Sequence, residues 1–327
     1  MPLPPLQFHP IMKPKVWGGR KLEEYGKPLP PKDAIGESWE LADLPESIPD
    51  GRSTISGGTF EGSTLQDVID HDATALLGDV SLSPEGGFPL LLKYLDANDN
   101  LSVQVHPDTD YVKKHPEAHL KSEAWHILDA EPGSVIYAGL QPGVDEASFA
   151  RAIADGTVVE QLVAIPAVPG ECHYLPSGTC HALGAGVLVA EVQTPSDTTF
   201  RVWDWGRTSR TLHVDEALQC IDFSGRSVQT PRPEAVSADG CDRTMLVDVE
   251  HFTIEHLQFD PGSSFTPDQC DVPIALMVLS GHADMEHDEG VLALAKGRTL
   301  LLPAARSSCR MNITDELELL AVTLRPA

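Results

Sequence analysis

The sequence predicts a mainly β protein with two strand-rich modules, and three observations support this prediction. The 327 residues include 27 prolines and 26 glycines, which favours many turns and short strands over a helical bundle. Short apolar or alternating runs recur along the chain, as expected of buried and half-buried strands. A G-x4-L-P phrase begins at Gly170 and again at Gly297, which indicates a repeated architecture. Five residues after its proline, the first copy has His181 and the second has Ser308, so we expect two β-barrel modules with a metal ligand only in the first.

The N-terminal part combines irregular, helical and strand-like segments. Residues 1–60 are rich in Pro, Gly and Trp and predict irregular structure. Apolar spacing predicts short helices over residues 64–77, 108–115, 145–155, 158–165 and 213–221. Apolar or alternating runs predict strands over residues 88–95, 101–106 and 121–128, followed by strands punctuated by Gly and Pro over residues 169–205.

The C-terminal part predicts an all-β module. Residues 224–238 are polar, contain Pro231 and Pro233, and are the best candidate for a linker. Strands are then predicted over residues 245–249, 252–259, 274–279, 291–294, 299–302 and 317–324. We therefore predict an N-terminal metal-binding domain over residues 1–223, with a small helical insertion at about 145–165, and a C-terminal β domain over residues 239–327 without metal ligands.

The charge balance argues against polyanionic partners. There are 23 Lys and Arg against 49 Asp and Glu, a formal net charge of −26. Nucleic acids and anionic membranes require a broad cationic surface, so we expect neither as a partner. The six cysteines form no C-x-x-C pair and no signal peptide is visible before Trp17, which predicts a reduced, cytoplasmic protein. The uncharged residues 172–190 could span a bilayer by length, but two histidines, a proline and three glycines are wrong for a lipid-facing helix.

One set of residues carries the strongest indication of metal chemistry. Gln104 and His106 share one face of a predicted strand, Glu123 lies on another alternating strand, and His181 follows a turn. Imidazole nitrogens, a carboxylate and an amide oxygen around an open position suit a catalytic Zn²⁺. The alternative is that these side chains line a solvated sheet face. Four other histidines compete as ligands, namely His115, His119, His126 and His173.

Cations are scarce in this chain, yet several lie close in sequence to the candidate ligands. These are Lys93, Lys121, Arg201 and Arg207. Lys121 also has the strand parity of Glu123, which places both on one face. A few cations near a metal would suit a small anionic ligand such as a sugar phosphate, whereas surface ion pairs are the alternative for each cation taken singly.

Several separated segments resemble the type I phosphomannose isomerase family. They are LSVQVHPD at 101–108, KSEAW at 121–125, the segment containing His181, and EVQTPSDTTFR at 191–201. The phrases VWGG and GESWE near the N-terminus and the position of Lys93 agree in order and spacing. The resemblance is to the short branch of the family, of roughly 300 residues. It is strong over about residues 8–222 and rests only on length and β character beyond them.

The resemblance implies a cupin fold, that is, a double-stranded β-helix or jelly roll, with a second cupin-like module. It also implies one Zn²⁺, or another divalent metal, bound by Gln104, His106, Glu123 and His181. Gln104 could instead contact substrate. The implied reaction interconverts D-mannose 6-phosphate and D-fructose 6-phosphate through an enediol or enediolate, in a monomer or a homodimer. The large helical domain of the longer family members is missing here.

Roles for further residues also come from the resemblance. Arg201 matches the catalytic arginine proposed for the family, and Ser102, Lys93 and Arg207 fall where phosphate or substrate contacts are expected. The longer members favour lysine at the position of Arg207. The catalytic base stays open between Glu191, Lys121 and a zinc-bound water.

Three other functions compete with this interpretation. One is a non-catalytic sugar-phosphate-binding or regulatory cupin, and another is an isomerase for a different phosphorylated sugar. An iron oxygenase is disfavoured because Gln104 stands where a third histidine would be wanted and no H-x-H strand is present.

Overall fold

The fold is described from a computed structural model that covers residues 2–226, 228, 233–238, 240–267 and 270–326. Part of the predicted linker at 224–238, namely residues 227 and 229–232, lies outside the described residues, as do residues 239 and 327 at the ends of the predicted C-terminal domain. The division into domains at residue 223 therefore stays a prediction. None of the helices in the described ranges has the length and apolar character needed to cross a bilayer.

Twelve strands lie in the N-terminal two thirds of the described chain. They are β1 (Leu6–Gln7), β2 (Ile11–Gly19), β3 (Ile35–Leu41), β4 (Leu91–Ala97), β5 (Val103–Val105), β6 (Glu123–Ala130), β7 (Val135–Leu140), β8 (Leu162–Pro166), β9 (Cys172–Leu175), β10 (His181–Leu183), β11 (Val187–Gln193) and β12 (Phe200–Trp203). β2, β3, β4, β11, β6 and β9 form one antiparallel sheet in that order, and β12, β5, β10, β7 and β8 form a second.

Four α-helices connect or cover these strands. They are α1 (Leu65–Leu77), α2 (Thr109–Lys114), α3 (Glu146–Asp155) and α4 (Val214–Cys220), with 3-10 turns at Lys21–Tyr25 and Val158–Gln161. Thr64 caps α1 in a reciprocal capping box with Asp67. Asp145 caps α3 in the same way with Ser148. These caps explain why both helices begin close to their predicted positions.

In the part of the C-terminal region that the structure describes, all regular elements are strands. They are β13 (Val236–Ala238), β14 (Cys241–Asp248), β15 (Phe252–Phe259), β16 (Ser264–Phe265), β17 (Ile274–Ser280), β18 (His282–His287), β19 (Gly290–Ala295), β20 (Thr299–Leu302), β21 (Arg310–Ile313) and β22 (Leu317–Leu324). β16, β21, β18 and β19 form a four-stranded sheet, and the others join a seven-stranded sheet that also includes β1, through the pairing of Leu6 with Leu301.

The sheets are stacked in layers, and each interface between layers is an apolar core. One core lies between the six- and five-stranded sheets, and another lies between the seven- and four-stranded sheets. The largest core joins the outer faces of the six- and seven-stranded sheets with α1. A fourth covers the outer face of the five-stranded sheet with α3 and α4. The prediction of a mainly β fold is confirmed.

The repeated G-x4-L-P phrase marks the same local structure in both halves. Gly170 and Gly297 have φ values of 88° and 80°, a region that favours glycine. Each glycine is followed by a short strand, β9 or β20, that ends at the leucine before the proline. The sequence repeat therefore reflects a repeated turn and strand.

Two predictions about the elements are wrong. The first sixty residues are not irregular, since β2 and β3 lie there. β2 is an edge strand of its sheet, where Pro14 is tolerated because one side of an edge strand needs no hydrogen-bond donors. Residues 158–165 are not an α-helix but a 3-10 turn followed by β8, which pairs with β7. Tertiary strand pairing outweighs the local helical pattern there, so the helical insertion is shorter than predicted.

Candidate metal centre and adjoining pocket

Three of the predicted ligands converge in the interior of the N-terminal module. Glu123 Oε2 lies 3.3 Å from His106 Nε2, and Glu123 Oε1 lies 3.1 Å from His181 Nε2. All three residues are buried, and their ligand atoms lie within 4.8 Å of one another. Donor atoms bound tetrahedrally to one zinc at 2.0–2.2 Å lie roughly 3.3–3.5 Å apart. The spacing of these donor atoms therefore fits a single small cation.

Strand register brings these residues together. Glu123 is the first residue of β6 and His181 is the first residue of β10. His181 pairs directly with Gln104 across the β10–β5 ladder. The Gly178 backbone N–H donates to the His106 carbonyl at 3.1 Å, which holds the turn before β10 against the end of β5. Gln104 and His181, which are 77 positions apart in the chain, thus become neighbours through strand pairing. Their spacing in the sequence alone does not specify this pairing.

The hydrogen bonds of the two imidazoles fit a bound metal. His106 Nδ1 lies 3.0 Å from the Thr198 carbonyl, and His181 Nδ1 lies 2.8 Å from the Thr179 carbonyl. A carbonyl only accepts, so each Nδ1 carries a proton, and the neutral His106 ring presents its Nε2 lone pair to Glu123. Lone pairs facing a carboxylate at this distance repel unless a cation lies between them. Carbonyl partners of this kind also orient histidines that ligate metals.

Buried atoms without partners support the same interpretation. His106 Nε2 and both carboxylate oxygens of Glu123 are buried and have no well-formed hydrogen bond within the described part of the chain. An unsatisfied buried polar atom costs about 1–3 kcal/mol, and more if it is charged. Lys121 Nζ, 3.1 Å from Glu123 Oε2, compensates part of this charge. The group could therefore bind a metal.

The ionisation states agree with the hydrogen bonds. Burial, together with the positive charge of Lys121, lowers the pKa of His106 to about 3. Burial would raise the pKa of Glu123, but Lys121 and the two histidines outweigh burial and lower the pKa well below its usual range. A neutral imidazole beside a carboxylate is the form that a divalent metal requires.

Gln104 lies beside this group. Its Nε2 is 3.3 Å from His181 Nε2, and its Oε1 accepts from the Ser102 hydroxyl at 3.1 Å. Rotation of the carboxamide about its last bond would exchange the two atoms. The position of Gln104 is therefore compatible with either predicted role.

The four competing histidines lie elsewhere. His115 contacts Glu117 and stacks on Tyr111, and His119 contacts Glu85. His126 faces the C-terminal module, opposite Glu123 on β6, and its ring stacks on His256. His173 contacts Glu171 and pairs with Trp125 across the β6–β9 ladder.

A cavity of about 120 Å³ adjoins the candidate metal centre. Six of the predicted site residues line it, namely Lys93, Ser102, Gln104, Lys121, Glu191 and Arg201. Arg201, Gln104 and His181 lie in one row across three neighbouring strands, because Gln104 pairs with both of the others. The structure therefore brings the predicted cations and the predicted ligands to one place, with the exception of Arg207.

A second row of paired residues crosses the six-stranded sheet along the cavity. Trp125, Glu191, Lys93 and Trp39 are direct cross-strand neighbours. Glu191 Oε1 accepts from Lys93 Nζ at 2.9 Å, and Glu191 Oε2 accepts from Trp125 Nε1 at 2.9 Å. Burial opposes the charge on Lys93, but Glu191 and Glu37 raise its pKa above the usual value. Lys93 therefore remains a cation at the bottom of the cavity.

Glu37 and Lys15 are charged residues of the cavity that the sequence interpretation did not name as site residues. Glu37 on β3 accepts from Trp39 Nε1 at 2.7 Å and forms an ion pair with Lys15 at 3.0 Å. Burial would raise the pKa of Glu37, but Lys93 and Lys15 lower it to about 2. The GESWE phrase contained the signal, because a carboxylate within an apolar strand must have a partner. Lys15 also lines the cavity.

The arginines are arranged differently from the prediction. Arg201 lines the cavity, and its Nη1 donates to the Thr211 carbonyl at 2.8 Å. Arg207 is not among the residues that line the cavity, and it forms ion pairs with Asp204 and Asp99. Arg210, which the sequence interpretation passed over, lines the cavity.

Comparisons with known proteins agree with the fold and the motifs. Residues 6–132 match the family described as phosphomannose isomerase type I, catalytic domain. The chain is 33% identical over 323 residues to the mannose-6-phosphate isomerase of Streptococcus mutans, covering 97% of each chain. It is 32% identical to mannose-6-phosphate isomerase ManA of Bacillus subtilis, covering 91% of this chain and 93% of the relative.

A solved structure extends the agreement to the whole fold. The crystal structure of mannose 6-phosphate isomerase from Bacillus subtilis superposes with a TM-score of 0.87 at 28% identity, covering 98% of this chain and 99% of that one. The cupin architecture expected from the motifs is confirmed. The sequence identity over nearly the full length, the matched catalytic domain and the shared fold together establish that this chain belongs to the type I phosphomannose isomerase family.

Proposed function

We propose that this protein is a zinc-dependent isomerase that interconverts D-mannose 6-phosphate and D-fructose 6-phosphate through an enediol or enediolate. The observation that carries the proposal is the buried group of His106, Glu123 and His181 beside a cavity lined by cations. Within this group, His106 Nε2 and both oxygens of Glu123 have no well-formed hydrogen bond among the described residues. The relatives named above are mannose-6-phosphate isomerases, which favours this substrate pair over other hexose phosphates.

The metal would be held by His106, Glu123 and His181, with Gln104 as a fourth ligand after rotation of its carboxamide. Two imidazoles with a carboxylate are a ligand set that zinc accepts. The amide of Gln104 is a weak ligand, so a substrate oxygen could take its coordination position. When bound, the metal supplies Lewis acidity that polarises the sugar oxygens at C1 and C2.

The cations of the cavity would bind and orient the substrate. Lys93 is fixed by Glu191, and Arg201 by the Thr211 carbonyl, so neither must be ordered when a ligand enters. In a chain of net charge −26, such local cations provide the field that attracts a small anion. Arg201 also stabilises negative charge that develops on the sugar oxygens in the transition state.

We assign the proton transfer between C2 and C1 to Lys121 rather than Glu191. In its neutral form the Lys121 amine would take the proton from C2, and the resulting ammonium group would return it to C1. Both oxygens of Glu191 already accept hydrogen bonds, from Lys93 and Trp125, which suits a residue that positions its neighbours. Lys121 lines the cavity and contacts Glu123 through Nζ, so it is next to the reacting carbons of a sugar bound at the metal group. Proton transfer requires a group within hydrogen-bond reach of the reacting atom.

Metal analysis combined with a coupled assay tests the proposal. The purified protein should contain about one zinc per chain, lose mannose 6-phosphate turnover on chelation, and recover it on addition of zinc. Glu123→Gln should abolish stoichiometric zinc and turnover. Arg201→Ala should retain zinc and lose at least a hundredfold in kcat, since one charge-stabilising donor is worth about 10²–10³ in rate.

The controls distinguish the alternatives. Glu255→Gln changes a carboxylate of β15 that forms an ion pair with Arg243, far from the cavity, and should leave zinc and turnover intact. Faster turnover of another hexose phosphate would identify an isomerase of different specificity. Binding of sugar phosphate without turnover by the zinc-loaded protein would indicate a regulatory or binding cupin and reject the enzyme.

A further inference from the structure

We propose that Arg210, rather than Arg207, is the cation that binds the phosphate group of the substrate. The inference rests on the proposed function in one respect, namely that the ligand of the cavity is a sugar phosphate. Arg210 lines the cavity together with Arg201, and Arg207 is not among the residues that line it.

The hydrogen bonds of Arg210 hold its guanidinium by one edge. Arg210 Nε donates to Asp204 Oδ2 at 2.9 Å, and Arg210 Nη2 donates to Asp204 Oδ1. Asp204 is buried, so this pairing fixes the plane of the guanidinium. Arg210 Nη1 has no acceptor among the described residues, which leaves its two N–H groups available to a ligand.

Arg207 is fully engaged by protein acceptors. Its Nε donates to Asp204 Oδ1 at 3.1 Å, its Nη2 donates to the Asn100 carbonyl at 2.6 Å, and its Nη1 donates to Asp99 Oδ2 at 2.9 Å. All three nitrogens therefore have partners, and a phosphate would have to displace at least one of them. Arg207 joins the loop after β12 to the loop before β5, which is a structural role.

Three guanidinium groups, of Arg201, Arg207 and Arg210, lie near the one buried carboxylate of Asp204. The exposed Asp99 offsets the charge of Arg207, so the cations that face the cavity are Arg201 and Arg210. Burial lowers the pKa of Arg201, and the neighbouring charges of Arg210 and Arg207 lower it further. The carboxylate of Asp204 opposes this effect and only partly offsets it. Asp197 lines the cavity together with these arginines, but its carboxylate is exposed to solvent. A phosphate dianion would relieve this repulsion.

One more guanidinium atom adds to the site. Arg201 Nε is buried and has no hydrogen-bond partner within the described part of the chain. Ser102 and Thr199 also line the cavity, but their hydroxyls already donate to Gln104 Oε1 and to the Asp197 carbonyl. Guanidinium groups whose N–H donors are not all taken up by the protein are suited to binding phosphate.

Binding of inorganic phosphate to the zinc-loaded protein, measured by calorimetry, tests the assignment independently of turnover. Arg210→Gln should weaken phosphate binding and raise KM for mannose 6-phosphate by about tenfold to a hundredfold, since hydrogen bonds between charged groups are worth that much. Arg210→Lys should show an intermediate effect, because it keeps the charge and loses the two-point contact with Asp204. Arg207→Gln should weaken phosphate binding less than Arg210→Gln does.

Arg243→Gln is the matched control, since it removes an arginine paired with Glu255 on the C-terminal sheet, and it should bind phosphate as the wild type does. The assignment is overturned if a folded Arg210→Gln protein binds phosphate as tightly as the wild type, or if Arg207→Gln has the larger effect. If the wild type binds phosphate through Arg210 but does not turn over mannose 6-phosphate, the proposed function fails and the assignment stands. If turnover is normal and Arg210→Gln changes nothing, the assignment alone fails.

Discussion

Protonation of His126 should destabilise the protein in mild acid, and the size of the effect follows from where this residue lies. His126 is on β6, three residues after Glu123 and on the opposite face, where the six-stranded sheet packs against the seven-stranded sheet. Its Nδ1 is buried without a hydrogen-bond partner in the described region. Burial, with the neighbouring His256 and His173, lowers the pKa of His126 from 6.5 to about 3.

The direction and the magnitude follow from proton linkage. The unfolded chain takes up a proton at His126 as the pH falls below 6.5, while the folded protein takes it up only near pH 3. The stabilising contribution is therefore complete above pH 6.5 and is lost progressively between 6.5 and about 3. From these two pKa values, the free energy of unfolding should fall by about 2 kcal/mol between pH 7 and pH 5 through His126 alone.

Urea unfolding of the wild type and of His126→Leu at pH 7, 6 and 5 measures this contribution. The loss of stability between pH 7 and pH 5 should be about 2 kcal/mol smaller in His126→Leu, because leucine fills a similar volume and does not titrate. His282→Leu is the control, since the His282 side chain is 61% exposed, and it should keep the wild-type slope. Equal slopes in the wild type and His126→Leu would refute the reasoning.

Three further predictions concern single contacts. Lys27→Met should lower the free energy of unfolding by about 3–5 kcal/mol in urea titrations, because it leaves the carboxylate of Glu40, now 2.7 Å from Lys27 Nζ, buried and unpaired; the double change with Glu40→Leu should recover most of this loss. Gly281→Ala should lower the melting temperature, with a loss of at least 1–3 kcal/mol, because φ is +79° and the new Cβ would lie 1.7 Å from a backbone oxygen. Trp125→Phe should reduce kcat more than it raises KM, since Glu191 loses a 2.9 Å hydrogen bond, and unchanged kinetics would contradict a positioning role for Glu191.

Strands that form short apolar runs between polar or turn residues were predictable from the sequence. β15, β20 and β22 begin and end where apolar periodicity indicates, because each is buried on one or both faces by neighbouring strands. β3 was not predictable in this way. Its sequence IGESWEL is fully buried although it contains two glutamates and a serine. Their partners lie on β3 itself, on β2 (Lys15) and in the segment before β3 (Lys27).

The candidate ligands were predictable by type and strand parity, and the resemblance placed them in order. Which histidines converge was open, because His126 and His173 lie on strands next to the site as well. Only the pleat of β6 decides that the His126 ring faces the other module while Glu123 faces the metal group, and the sequence does not show that His173 pairs with Glu171 instead.

For the three arginines, too, the sequence does not decide which side chain reaches the cavity. Arg201, Arg207 and Arg210 are close in sequence, and nothing in the local pattern ranks them. The fold directs Arg207 toward Asp99 and the Asn100 carbonyl, which lie more than a hundred residues earlier in the chain, and leaves Arg210 at the cavity.

The amino-acid sequence by itself determined the β character, the repeated turn and strand, and the residue types available for a metal and an anion. These features depend on local periodicity, turn-forming residues and side-chain chemistry, all of which are properties of short segments. The tertiary structure decided which ligands meet, which arginine remains free, and which carboxylates have partners. Those outcomes depend on strand register, since a shift of one residue turns every side chain of a strand to the other face.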